Sequence, residues 1–350
     1  MLRKIVFSGA LAGAFAAGLM AAPQASARDL TVVSWGGAYQ DAQRDAYFKP
    51  FMAQKGVKML EESWDGGVGV LRSKVQGGNN NWDVVQVESE ELAVGCEEGL
   101  YEKIDWSKVG GKEMFMPAAI HDCGVGAIVY NFVLAYDGDK LKDGPKSWAD
   151  FWDVQKWPGK RALRKGPKTN LEIALMADGV APSDVYKVLA TEAGVERAFK
   201  KLDQLKAGIV WWEKGAQPPQ LLASGEVTMT SAYNGRVSAA NKTDKKNFKI
   251  GWTNSLFTID SWVIMKGSPN RAQAEQYIAF VSLPENQKNL PPKIPYGVTA
   301  KAATAMIDKA VLDELPTAPQ NIESAIQISD AYWLENIDKL NQRFNAWVAR

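Results

Sequence analysis

The chain has one histidine, His121, and two cysteines, Cys96 and Cys123, in 350 residues. A Ser-His-Asp hydrolase would have to use His121 as its base, and no G-x-S-x-G turn accompanies it. Two Cys and one His do not complete a metal site, so no metal ligand set is expected. A dinucleotide fingerprint is missing as well, because Gly66-Gly67-Val68-Gly69 lacks the G-x-G-x-x-G spacing. No cofactor and no catalytic residue is therefore expected. Chemistry carried by carboxylates alone is the one enzymatic alternative. The 41 basic and 40 acidic residues nearly cancel, which gives no support for a nucleic-acid or lipid partner. Past residue 27 there is no apolar run long enough to cross a membrane, no repeat and no low-complexity tract.

The beginning of the chain reads as an export signal, residues 1–27. Arg3 and Lys4 precede a small-residue apolar core from Ile5 to Met20, and Ala25-Ser26-Ala27 has the A-x-A form of a cleavage site. A mature, secreted chain starting at Arg28 is expected. In an oxidising compartment Cys96 and Cys123 pair most simply as a disulfide. Closing their loop of about 28 residues contributes roughly 3 kcal/mol in the chain-entropy model. A mature length of about 320 residues exceeds one comfortable core and calls for two lobes.

Leu30 to Trp35 reads as a buried first strand that ends at Gly36-Gly37, followed by Tyr39 and a polar helix from Gln40 to Met52. Strand, glycine turn and helix open an α/β lobe, in which ligands bind at the carboxyl ends of strands, where Trp35 and Tyr39 fall. Trp82 to Val87 is a third strand running into Glu88 and Ser89, with Ser89 as the cap of a helix from Glu90 to Glu98. The stretch from Val227 to Ile264 carries most information. Its first strand breaks at Tyr233-Asn234-Gly235-Arg236, where Asn-Gly predicts a positive-φ turn that throws the flanking side chains outward. Two further strands, Lys249–Trp252 and one through Trp262–Met265, follow it, with Asp260 at the foot of the second. An aromatic, a fixed cation and an anion in one segment suit a small charged ligand. An Arg–Asp surface pair beside an ordinary turn is the alternative for the same residues.

Taken together, these landmarks resemble the polyamine-type substrate-binding proteins of ABC importers. The resemblance rests on Trp35…Tyr39, Trp82-Asp83 with Glu88-Ser89, Trp148-Ala149-Asp150-Phe151-Trp152, Gly225-Glu226-Val227 leading to Tyr233-Asn234-Gly235, Asp260-Ser261 and Tyr296-Gly297. It implies a two-lobe, type II-like periplasmic binding protein with hinge strands and a ligand cleft. Lobe 1 is then 28–136 plus 257–305, and lobe 2 is 137–256 plus 306–350 with the C-terminal helices. It also implies a periplasmic monomer that works with the membrane subunits of an importer. Trp35, Tyr39, Glu88, Ser89, Tyr233, Arg236, Thr258, Asp260 and Tyr296 are the candidate ligand-binding residues.

The departures narrow the ligand. The resemblance makes Asp260 the amine-binding aspartate, but Gly166-Pro167-Lys168-Thr169 stands where polyamine binders carry acids for a second amine. Thr258 replaces an aromatic, Tyr233 replaces a Trp, and Arg236 adds a cation. A zwitterionic ω-amino acid such as 4-aminobutyrate would satisfy both charges: Arg236 takes the carboxylate, Asp260 the amine, and Trp35 with Tyr233 cover the methylenes. The alternative is a polyamine receptor whose second acid is Glu88, Glu90 or another residue of the chain.

Overall fold

A computed structural model describes residues 28–78 and 80–350 of the chain. The expected leader, residues 1–27, lies outside the described residues. Among the described residues the ten strands are β1 (Leu30–Ser34), β2 (Met59–Ser63), β3 (Val84–Val87), β4 (Ile120–His121), β5 (Gly124–Asp137), β6 (Arg161–Arg164), β7 (Ile209–Trp212), β8 (Met229–Tyr233), β9 (Phe248–Ile264) and β10 (Ile326–Gln327). Eight of them form one path in the order β2-β1-β3-β9-β5-β8-β6-β7.

Two strands of this path are unusually long, and they hold the molecule together. β5 spans 14 residues and β9 spans 17, and they pair antiparallel from Gly124↔Val263 to Asp137↔Phe248. The sequence broke β9 into two strands. The structure keeps one strand, but its ladder with β5 is interrupted close to that break: Phe132 pairs with Leu256 and Leu134 with Gly251, which leaves Trp252–Ser255 without a β5 partner, and a smaller shift lies between Gly126 and Ile128. One half of this pair carries β3, β1 and β2, and the other half carries β8, β6 and β7. The result is the two-lobed α/β plan, with β5 and β9 as its hinge.

Strand direction decides where a ligand can sit. β1, β2 and β3 are mutually parallel and run in the direction of β5, whereas β8, β6 and β7 run against it. The carboxyl ends of both sets therefore point at the cleft between the lobes, the position open α/β sheets use for binding. All five residues of β1 and all four of β3 are buried, as near-continuous β-branched runs require of interior parallel strands.

Outside the sheet, Cys96 at the end of the helix Ser89–Glu97 is bonded to Cys123, which immediately precedes β5. The C-terminal helix Asp330–Val348 packs on both lobes, against the helix Ser89–Glu97 of the first and through the following contacts on the second. Trp333 Nε1 donates to the buried Glu172, and Trp211 meets the rings of Phe344 and Trp347.

Two local expectations are corrected. Tyr233-Asn234-Gly235-Arg236 is not a positive-φ turn: a helix, Asn234–Thr243, starts directly at the end of β8, and neither Asn234 nor Gly235 has positive φ. The glycine answers a different need, since a Cβ on it would lie 2.5 Å from the Tyr296 ring. Asn234 serves as a tie, accepting from the Asn131 N–H of β5 at 3.1 Å and donating to Pro295 O at 2.7 Å. The helix expected to begin after Ser89 includes Ser89, and its N-cap is Glu88, whose N–H donates to the Glu91 carboxylate at 2.9 Å.

Candidate functional site: a charged chamber between the lobes

The side chains at or just past the facing strand ends share one cavity of about 460 Å³, its open mouth included. Trp35 follows β1, Trp64 follows β2, Glu88 follows β3 and Glu213 follows β7, while Arg164 closes β6 and Tyr233 closes β8. Tyr39, Tyr130, Arg236, Asp260 and Tyr296 also face it. One topological rule thus delivers residues scattered over 200 positions to one chamber.

Asp260 forms the acidic end. It lies in β9 opposite Ile128, beside the first register shift, and is 3% exposed. Its Oδ2 accepts from Trp35 Nε1 at 2.8 Å and from Gln86 Nε2 at 3.2 Å. Among the described residues Oδ1 has no partner although it is buried, and the same is true of the Tyr130 hydroxyl. Buried carboxylate oxygens are rarely left in this state, because an unpaired one keeps its full desolvation cost. Burial, followed by the charges of Glu88 and Glu91, raises the Asp260 pKa well above the ordinary range. Trp35 stacks on Trp64 with ring centres 5.1 Å apart, and Tyr39 meets Tyr296 edge-on at 5.2 Å, so aromatic walls surround this acid. Such walls favour an ammonium group over an anion.

The basic end is built across the cleft. Arg164 Nη1 donates to both oxygens of Glu88, at 2.8 and 2.9 Å, and its guanidinium lies 5.9 Å from the centre of the Tyr233 ring. Among the described residues no partner is formed by its Nε or Nη2. Behind this pair Lys168 donates to Glu88 at 2.9 Å and also to Glu90. Burial opposes ionisation of Glu88, but the Arg164 and Lys168 cations outweigh it and hold that carboxyl below the usual carboxylate range. The same carboxylates overcome the burial of Lys168 and keep its ammonium charged. Glu91, whose oxygens receive the Gly67 and Glu88 N–H groups, is pushed up to about 8, chiefly by burial.

Arg236 lines the chamber, but two of its donors are engaged elsewhere. Nη1 donates to Gly36 O at 2.8 Å and Nη2 to Trp35 O at 3.0 Å, and the guanidinium lies 5.7 Å from the Tyr39 ring centre. These bonds run from the helix after β8 to the loop after β1, from one lobe to the other.

Of the nine residues expected from sequence, Trp35, Tyr39, Glu88, Tyr233, Arg236, Asp260 and Tyr296 face the cavity. Ser89 and Thr258 do not; Thr258 donates to Ser89 Oγ at 3.0 Å, and the two hydroxyls satisfy each other. Trp64, Tyr130, Arg164 and Glu213 were missed. For Trp64, Arg164 and Glu213 the signal was present, because each stands at or after a strand of the kind that placed Trp35.

A two-lobed frame whose facing strand ends enclose a charged, aromatic-walled chamber defines a solute-binding protein. The chain belongs to the bacterial extracellular solute-binding protein family, which it matches over residues 46–320. It is 49% identical over 336 residues to the gamma-aminobutyric acid-binding protein of Pseudomonas aeruginosa, covering 96% of this chain and 95% of that one. The solved structure of the Atu4243 GABA receptor superimposes with a TM-score of 0.80 at 34% identity, over 92% of this chain and 98% of that one. The putrescine-binding periplasmic protein SpuD of Pseudomonas aeruginosa is 25% identical over 288 residues, 75% of this chain and 77% of that one. The resemblance to amine-binding importer receptors therefore holds, and no described helix is long and apolar enough to cross a membrane.

Proposed function

We propose that this chain is the periplasmic receptor of an ABC importer, that it captures a zwitterionic ω-amino acid such as 4-aminobutyrate by lobe closure, and that it performs no catalysis. The reading is carried by one observation: among the described residues, the chamber has a buried carboxylate oxygen without a partner, Asp260 Oδ1, and a guanidinium with two donors unengaged, Arg164. The ammonium group sits on Asp260 and Tyr130 Oη between the aromatic walls. The carboxylate takes Arg164 Nε and Nη2 in the parallel geometry that a guanidinium favours. The names carried by the 49%-identical relative and the Atu4243 structure support this ligand. A diamine is the second reading, favoured by SpuD and by Glu88 at the cavity wall, but Glu88 already carries two cations. In this reading residues 1–27 direct export, the mature chain is a monomer docking on the importer's membrane subunits, and the lobes divide near 136 and 256. Calorimetry of the purified protein with 4-aminobutyrate and putrescine tests it. Tighter binding of 4-aminobutyrate is expected; tighter binding of putrescine removes the zwitterion from the reading.

A further inference from the structure

Glu88 and Glu90 form, on the first lobe, a receptacle for a cation. They bracket the start of the helix Ser89–Glu97, both are at most 9% exposed, and the Lys168 ammonium is bound to both. Lys168 comes from the other lobe, on the loop between β6 and the helix Asn170–Ala177, and is itself 6% exposed. Glu88 also faces the ligand chamber, so the ammonium of Lys168 lies one carboxylate away from the ligand.

We propose that Lys168 is a specificity-determining residue that acts as a tethered amine: it fills the second cation position of the cleft and thereby excludes ligands that bring two amines. The idea rests on the zwitterion reading for what the chamber admits, and it adds how diamines are refused. The physical reason is charge balance in a dehydrated space. Without Lys168, Glu88 would keep Arg164 but Glu90 would be buried with no cation, which is strongly unfavourable, so the position is filled by whichever ammonium reaches it. An ammonium on the protein's own chain reaches it at every closure, without competition from solution. With the position filled, a second ligand amine meets Arg164 and Lys168 with no unneutralised carboxylate beside them, and like charges in such a site repel strongly.

The loop that presents Lys168 is held in place at some cost. Thr169, the next residue, has φ of 69°, a left-handed conformation that is unfavourable for a β-branched side chain, and its buried hydroxyl has no partner among the described residues. Asn170 Nδ2 pins the turn by donating to Arg164 O and Gly166 O, both at 2.6 Å. A loop that needed only to connect β6 to its helix would not require this strain. One that must deliver a lysine and an arginine to the opposite lobe has a reason to keep it.

The test is calorimetry of Lys168→Met and Lys168→Arg against 4-aminobutyrate, putrescine, cadaverine and spermidine, beside the unmodified protein. Lys168→Met preserves length and removes the charge. The expected result is a gain of tenfold or more in affinity for at least one of the polyamines, while Lys168→Arg keeps the original preference. Equal weakening of all four ligands would mean that Lys168 only ties the lobes together, and it would overturn the proposal. So would a Lys168→Met protein with unchanged ligand ratios. If Lys168→Met is recovered unfolded, it is refolded with and without putrescine: rescue by putrescine supports the tethered-amine role, and no rescue overturns it. The readout is a gain in polyamine binding, so it stands apart from whether the unmodified protein binds 4-aminobutyrate, which alone decides the reading above.

Discussion

Trp35 donates its indole N–H to Oδ2 of Asp260 at 2.8 Å, and Oδ1 is left buried without a partner among the described residues. The carboxyl is buried beside the acidic Glu88 and Glu91, so the empty chamber favours its protonated form. An ammonium ligand needs the ionised form.

Binding is therefore expected to expel a proton, and affinity is expected to climb with pH while the ligand amine stays charged. Calorimetry of 4-aminobutyrate in buffers of different ionisation enthalpy measures this directly, with net proton release as the outcome. Asp260→Asn should abolish the release and weaken binding by about 2–5 kcal/mol, roughly 30-fold to several thousand-fold. A binding heat independent of buffer would contradict the protonated carboxyl.

The two arginines of the chamber should fail differently. Arg164→Gln removes the unengaged donors and is expected to weaken 4-aminobutyrate by about 2 kcal/mol or more while sparing putrescine. Arg236→Gln removes bonds to Trp35 O and Gly36 O that hold the lobes together. It should weaken both ligands alike, by about 1.5–3 kcal/mol, the usual size for charge-assisted hydrogen bonds. If Arg236→Gln weakens only 4-aminobutyrate, the carboxylate sits on Arg236 instead.

Stability should also depend on pH. Burial raises the carboxyl pKa of Glu91, to about 8, and those of Glu172 and Asp260. A carboxyl that keeps its proton longer folded than unfolded stabilises the fold at low pH and loses that contribution as pH rises. For Glu91 the window runs from its ordinary value of 4.5 to about 8. Glu88 acts in the opposite sense: its ionised form is held by Arg164 and Lys168, and that support is lost as pH falls below the ordinary carboxylate range. The ligand-free protein should accordingly melt highest in mildly acidic solution. Calorimetric melting temperatures that stay level or rise from about pH 5 to 8 would contradict this balance.

Much of the frame was legible because it depends on local pattern. The β-branched run located β1, and the rule that ligands sit at strand ends pointed to Trp35 and Tyr39; Tyr233 was reached from an Asn-Gly turn that is in fact a helix start, and Glu88 through the family resemblance. The misread elements depend on distant partners. Asn234-Gly235 has the composition of a turn, yet the glycine is there because Tyr296, far along the chain, packs against it. Arg164 stood at a strand end, but nothing near it in sequence reveals the Glu88 that it meets across the cleft. Arg236 was legible as a cation at the site. Its bonding to the carbonyls of Trp35 and Gly36 was not, because main-chain acceptors leave no mark in composition.

The position of β9 in the sheet sets the order in which the protein can be completed. β3 pairs with β9 through Val84↔Ile264 and Val87↔Ser261, so the first lobe's inner edge waits for a segment made long after it. Until then β3 has an open edge, and the second lobe, whose strands β6, β7 and β8 are contiguous in the chain, can assemble earlier. Contacts this far apart make folding slow, because the loop-closure entropy must be overcome before they form. A chain ending before Ser261 would leave the first lobe unfinished even though every residue of β1, β2 and β3 was present.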